Sequence, residues 1–233
     1  MDMRRITVEE VWPTIQPGID NIIDIIEGIV DEIITNEERV LPNLVGKRGD
    51  ILLQEVVKRW DNHKYMTVWT TKFFVYLNKY FIPGSLLPTL QESSYSIFHR
   101  RVLGVHEVME SITRMIHRVR IGDQRINQDL LKSAIDIYVN IGKNYYEDDF
   151  EEKILEKTHQ FYSLKALKWI NDPNISYQDY MLKLDESLMR ERHWAGLYVK
   201  EDTRKKLLKI VNHELVNVHT IQLEEKRKRR RLN

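Results

Sequence analysis

From Thr7 to Ile34, apolar residues return every three or four positions: Val11, Ile15, Ile19, Ile22, Ile23, Ile26, Ile29, Val30 and Ile33. Asp20, Asp24, Glu27, Asp31 and Glu32 fill the intervals. This period predicts an amphipathic helix, with Thr7, Glu9 and Glu10 as a capping-box-like start. Pro13 is tolerated in a first turn, whereas Pro17-Gly18 predicts a kink. Residues 35–49 carry Pro42, Gly46 and Gly49 and leave room for a short helix near Glu38 to Leu44. Asp50 is expected to cap a helix striped by Ile51, Leu52, Val56, Val57 and Trp60, with Asp61-Asn62-His63 as the following turn. Another helix is predicted from Lys64 to Ile82, through Met66, Trp69, Phe73, Phe74, Leu77, Tyr80 and Phe81, and Pro83-Gly84 stops it. One long helical pattern then runs from Pro88 to Ile121 through Leu90, Tyr95, Phe98, Val102, Val105, Met109, Ile112 and Ile116, before Gly122-Asp123.

The second half repeats the style. Asn127 caps a predicted helix to Ile141, closed by Gly142. Asp148 or Asp149 starts one through Phe150, Ile154, Leu155, Thr158, Phe161, Tyr162, Leu164, Leu167 and Ile170, closed by Asp172-Pro173. Ser176 starts one through Tyr180, Met181, Leu184, Leu188, Ala195 and Leu197. The last begins near Asp202 and carries Leu207, Leu208, Val211, Leu215, Val218 and Ile221 into the end of the sequence. No period-two strand pattern occurs. The fold class is therefore all-α, as two successive helical bundles, residues 1–122 and 123–225, followed by a basic disordered tail, 226–233.

Composition agrees. Of 233 residues, 42% are hydrophobic and 30% charged, and nine glycines and six prolines are too few for an all-β chain of this length. The absence of cysteine removes disulfides, thiolate metal sites and a cysteine nucleophile. The opening Met1-Asp2-Met3-Arg4-Arg5-Ile6 has no apolar run behind it, so a signal peptide is not expected, nor is a membrane span. The Asn174-Ile175-Ser176 sequon is read as chance. Net charge is +1, but Lys226, Arg227, Lys228, Arg229, Arg230 and Arg231 hold six positive charges together. Without them 30 basic residues face 35 acidic ones, a body that would repel polyphosphate, so nucleic acid is not an expected partner. The basic run is the candidate nuclear-import signal, against a nucleic-acid patch or a solvated end. Nucleus and cytoplasm are both expected locations.

No constellation points to catalysis. Gly46-Lys47 lacks the rest of a phosphate loop. His213 and His219 are six residues apart, about 600° around a helix, and so cannot share a face; His99 and His106 share one but sit two turns apart. Glu147, Asp148, Asp149, Glu151 and Glu152 around Phe150 suit the positive end of a helix. Arg48-Gly49-Asp50 matches an adhesion tripeptide without a secretory context. Neither a cofactor nor a metal is implied.

Larger blocks carry a resemblance. Leu52-Leu53-Gln54-Glu55-Val56-Val57-Lys58-Arg59-Trp60-Asp61-Asn62-His63-Lys64-Tyr65-Met66, then Trp69, Phe73-Phe74 and Tyr76-Leu77-Asn78-Lys79-Tyr80-Phe81-Ile82, resemble the first repeat of cullins, especially plant cullins of the SCF type. Leu130-Leu131-Lys132, Asp136 to Gly142, Tyr146 to Glu151, Tyr162 to Ala166, Trp169-Ile170, Asp179 to Lys183 and His213-Glu214-Leu215 extend the resemblance from Val8 to about Glu225.

The resemblance implies an elongated, α-solenoid-like array of helical bundles, the cullin repeats, acting as a non-catalytic scaffold in SCF-type ubiquitin-dependent degradation. In that family a Skp-type adapter with its F-box protein docks on the second and fifth helices of the first repeat. Here the tyrosine-rich second helix has no counterpart, and the chain ends after the second repeat, so neither the RING-binding domain nor a RING partner is expected. Adapter binding is left to the helix at 95–120, with Tyr95, Phe98 and Val102 as candidate contacts or, alternatively, ordinary core residues. His99-Arg100-Arg101 stands where the family usually carries an acidic residue. The expected state is a monomer until bound. The alternative is a nuclear interaction protein, or a competitor or relic with no ligase role.

Overall fold

The structure, a computed structural model, describes residues 47–82, 87–123 and 125–229. Chain packing separates residues 1–47 from 48–233, and the described helices belong to the second unit. The helix predicted from Thr7, the short one near Glu38 to Leu44 and the Pro83-Gly84 stop lie outside the described residues. Among the described residues every regular element is helical.

Helix α1, Asp50–Phe73, is capped by Gly49 rather than Asp50. Gly49 has φ +60°, where a side chain would be strained, and its N–H donates to Ser111 Oγ at 3.1 Å. The Arg48-Gly49-Asp50 tripeptide is thus a helix start. The turn predicted at Asp61-Asn62-His63 does not form. No glycine or proline interrupts the segment, Asp61 pairs with Lys64 one turn on at 3.0 Å, and Thr67 Oγ1 donates to the His63 carbonyl. The chain stays helical through a π-helical turn at Leu77–Phe81.

The single helix predicted over 88–121 is two. Helix α2, Leu90–Phe98, opens on a capping box between Thr89 and Glu92 and passes into a π turn, His99–Leu103. Gly104 lies where an added Cβ would meet the Arg100 carbonyl oxygen at 2.9 Å, so only glycine lets the chain close that turn. Val105 is extended, and α3, His106–Arg120, begins. Helix α4, Gln128–Ile141, is capped by the Asn127 side chain accepting from the Leu130 N–H at 3.0 Å. A single turn at Lys143–Tyr145 and a π turn at Tyr146–Glu151 lead into α5, Glu152–Asn171, so helical structure starts before Asp148. Helix α6, Tyr177–Tyr198, opens on a Ser176–Asp179 capping box. Helix α7, Glu201–Asn212, a π turn at His213–Asn217 and α8, Thr220–Arg229, follow. The first four basic residues of the terminal run are therefore helical, not a disordered tail.

Leu52, Leu53, Val56 and Trp60 of α1, Val108, Ile112, Met115 and Ile116 of α3, and Leu131, Ala134, Ile135 and Tyr138 of α4 are all buried. Helices α1, α3 and α4 pack on one another, so the interior continues across residues 123–127. In the second half the buried stripe has a spacing of four: Tyr146, Phe150, Ile154, Thr158, Tyr162, Ala166 and Ile170. Four residues turn an α-helix by about 40° beyond a full circle, so such a stripe winds around its helix. It meets Tyr138 of α4 at Phe150, joins Leu184, Val211 and Leu215 at Tyr162 and Ala166, and reaches Tyr180 and Leu223 at Ile170.

Candidate protein-binding surface

The residues singled out from sequence lie on α2 and its π turn, and two of the three point inward. Phe98 and Val102 are buried. The Phe98 ring lies 5.0 Å from both Trp60 and His63, and Tyr95, half-buried, lies 4.8 Å from Trp60. Their regular spacing marks the side on which α2 meets α1. Hydrogen bonds fix that contact: His63 Nε2 lies 3.0 Å from the Ser94 carbonyl oxygen and 2.9 Å from Ser94 Oγ, and Thr67 Oγ1 lies 2.7 Å from the same hydroxyl. Burial holds the His63 pKa below its ordinary value, opposed in part by its bond to Ser94.

A second side of the same segment meets the α4–α5 connection. His99 Nε2 lies 2.7 Å from Asp149, its ring sits 4.3 Å from Tyr145, and Tyr145 OH donates to Ser96 Oγ. What remains open is polar: Gln91, Glu92, Arg100 and Arg101 are exposed. The surface this segment offers is thus a basic pair beside the buried aromatics, with Tyr95 only partly accessible.

Sequence reasoning missed the two polar clusters of the interior. Arg120 at the end of α3 donates to both carboxylate oxygens of Glu191 on α6, from Nη2 at 2.7 Å and Nε at 3.1 Å, and also to Thr158 on α5. Tyr162 OH donates to the same carboxylate at 2.8 Å, and burial together with that negative charge raises its pKa. The guanidinium lies over Trp194 at 5.2 Å and Phe161 at 5.6 Å. In the second cluster, Thr203 and Lys206 of α7 both donate to the buried Glu151, and Tyr146 OH lies 3.0 Å from the Thr203 hydroxyl. Every charge here has a partner, which is the pattern of a locked interior. Among the described residues no group of three histidines and carboxylates gathers as metal ligands. His213 is largely exposed and His219 buried, in keeping with their six-residue spacing.

At the end of the described chain, Lys226 Nζ donates to the carbonyls of Asp172 and Ile175 at 2.9 and 2.7 Å, fastening α8 to the α5–α6 connection. Arg227 and Lys228 are exposed, and Arg230 and Arg231 lie outside the described residues. No helix among the described residues is long and apolar enough to cross a membrane.

Residues 18–232 match the cullin alpha solenoid domain. "Putative cullin-like protein 1" of Arabidopsis thaliana is 36% identical over 203 residues, which cover 85% of this chain and 28% of that protein. "Putative cullin-like protein 2" of the same plant is 33% identical over 256 residues, covering 91% and 68%. "Cullin-1" of Oryza sativa subsp. japonica is 41% identical over 194 residues, covering 80% and 25%. The chain thus spans about a quarter of two of these relatives and about two thirds of the third.

Proposed function

The chain belongs to the cullin family, and from that premise we propose that it is a non-catalytic scaffold segment of an SCF-type ubiquitin ligase assembly, binding a Skp-type adapter with its F-box protein. The observation that carries this reading is the match to the cullin alpha solenoid domain over residues 18–232. The all-helical interior, with its paired charges, supports a presenting surface in place of a reaction centre. A rigid helical array contributes by holding two bound proteins at a set separation, a proximity effect.

The adapter contact is assigned to the open side of α2 and its π turn, at Arg100 and Arg101 with the accessible edge of Tyr95. Phe98 and Val102 act behind it by seating the segment on α1. The test is capture of a purified Skp-type adapter by the full chain, against an unrelated helical protein. Arg100→Glu should reduce capture at least tenfold with an unchanged melting curve. Phe98→Asp should lower the melting temperature itself, because a charge would enter the contact with Trp60. No capture above the control ends the adapter reading and leaves family membership intact. Exposure of Arg227 and Lys228 favours a second, compatible proposal, that the basic run directs nuclear import.

A further inference from the structure

The later part of α1 carries exposed aromatic side chains on its outer side. Tyr65, Trp69 and Phe73 fall within about 80° of one another on α1 at 100° per residue, and Tyr76 and Tyr80 follow past the helix end. They are 66%, 50%, 84%, 77% and 65% exposed. The Tyr65 ring meets Trp69 edge-on at 6.1 Å, and Tyr76 stacks on Tyr80 at 5.8 Å. At about 200 Å² per ring, the five expose on the order of 700 Å², above the roughly 300–600 Å² of the largest patch on an ordinary monomer. The stripe runs about 22 Å, four turns of a partner helix.

Its electrostatics select the partner. From Asn62 to Ile82 there are three lysines and no carboxylate. Lys72 Nζ sits 5.0 Å over the Trp69 ring and Lys79 Nζ 5.2 Å over Tyr80. Among the described residues neither has a carboxylate partner. These cations are held along the flank of the aromatic row, where a docked helix would place its own flanking side chains.

We infer that the Tyr65–Tyr80 stripe is a docking face for an amphipathic helix of another protein whose apolar row is flanked by glutamates or aspartates. Aromatic side chains in a row supply contact area at low entropic cost, and the lysines set orientation and sign. A second copy of this chain fits poorly, since pairing two such faces would bring Lys72 and Lys79 against their own kind. The inference stands apart from adapter binding, because this face of α1 and the open side of α2 are different surfaces.

The test uses the full chain and two fluorescent synthetic helices of about 18 residues with identical leucine rows, one flanked by glutamates and the other by lysines, read by anisotropy. The acidic peptide should bind at least tenfold more tightly, with affinity falling as salt rises. The double substitution Phe73→Ser/Tyr76→Ser should abolish binding without moving the melting temperature, since both rings are exposed. Lys72→Glu/Lys79→Glu should reverse the preference between the peptides. Equal binding of both peptides, or of neither, overturns the inference. So would self-association in sedimentation that Phe73→Ser/Tyr76→Ser removes, or a cross-link showing the stripe already covered by residues 7–34 of the same chain.

Discussion

His63 makes the contact between α1 and α2 sensitive to protons. Its ring is packed by Phe98, and its Nε2 is committed to Ser94. Burial lowers its folded pKa below the unfolded value of 6.5, so below that value the unfolded chain binds the proton more readily. The stabilisation is complete above pH 6.5 and is lost as pH falls through the lower, folded value. Unfolding by urea between pH 7.5 and 5 should show a falling free energy, and His63→Gln should flatten that slope while lowering stability at pH 7.5. An unchanged slope in the variant would remove His63 as its source. The same contact shows what spacing can reveal about a residue. Tyr95, Phe98 and Val102 recur as one face in the sequence, and that face is real, but recurrence does not distinguish a face turned to a neighbour within the chain from one turned to a partner. The discriminating feature is Trp60, 38 residues before Phe98, and its position against Phe98 exists only in three dimensions.

Helix starts and stops with a chemical signature were readable in the sequence: Asn127, Ser176, Gly142 and Asp172-Pro173 act where expected. The phase of the buried stripe was less so. A spacing close to 3.6 nominated Leu164, Leu167, Val218 and Ile221, which are exposed, while Leu207, Val211, Leu215, His219 and Leu223 are buried at a strict spacing of four. The π turn at His213–Asn217 adds a residue to the coil and returns the drifting stripe toward the interior. Such a turn leaves the chain direction unchanged and carries no glycine or proline to announce it. Charged residues on these helices were equally illegible, since nothing local marks Arg120 and Glu191 as mates 71 positions apart. That pair locks α3, α5 and α6 together. Glu191→Ala should cost about 3–5 kcal/mol in urea unfolding, because a buried guanidinium loses its counter-charge. Arg120→Met/Glu191→Leu should cost much less than the sum of its single substitutions. Additive losses would show that the two charges act independently.

Across the molecule, two stretches are marked by their basic charge. The stretch from Asn62 to Ile82 lacks carboxylates, and the run from Lys226 to Arg231 offsets an otherwise acidic chain. That run divides by task. Lys226 is held by two backbone carbonyls, and such a charge-assisted bond contributes about 1.5–3 kcal/mol. Arg227 and Lys228 project into solvent with no structural duty among the described contacts, so they are open to an acidic receptor groove. The two tasks come apart by substitution. In a tagged copy too large to diffuse through nuclear pores, replacing Arg227, Lys228, Arg230 and Arg231 with glutamine should abolish nuclear accumulation and leave the melting temperature unchanged. Lys226→Gln alone should lower the melting temperature while accumulation persists. Nuclear accumulation that survives the fourfold substitution would end the import reading and leave Lys226 as the member of the run with an identified structural role.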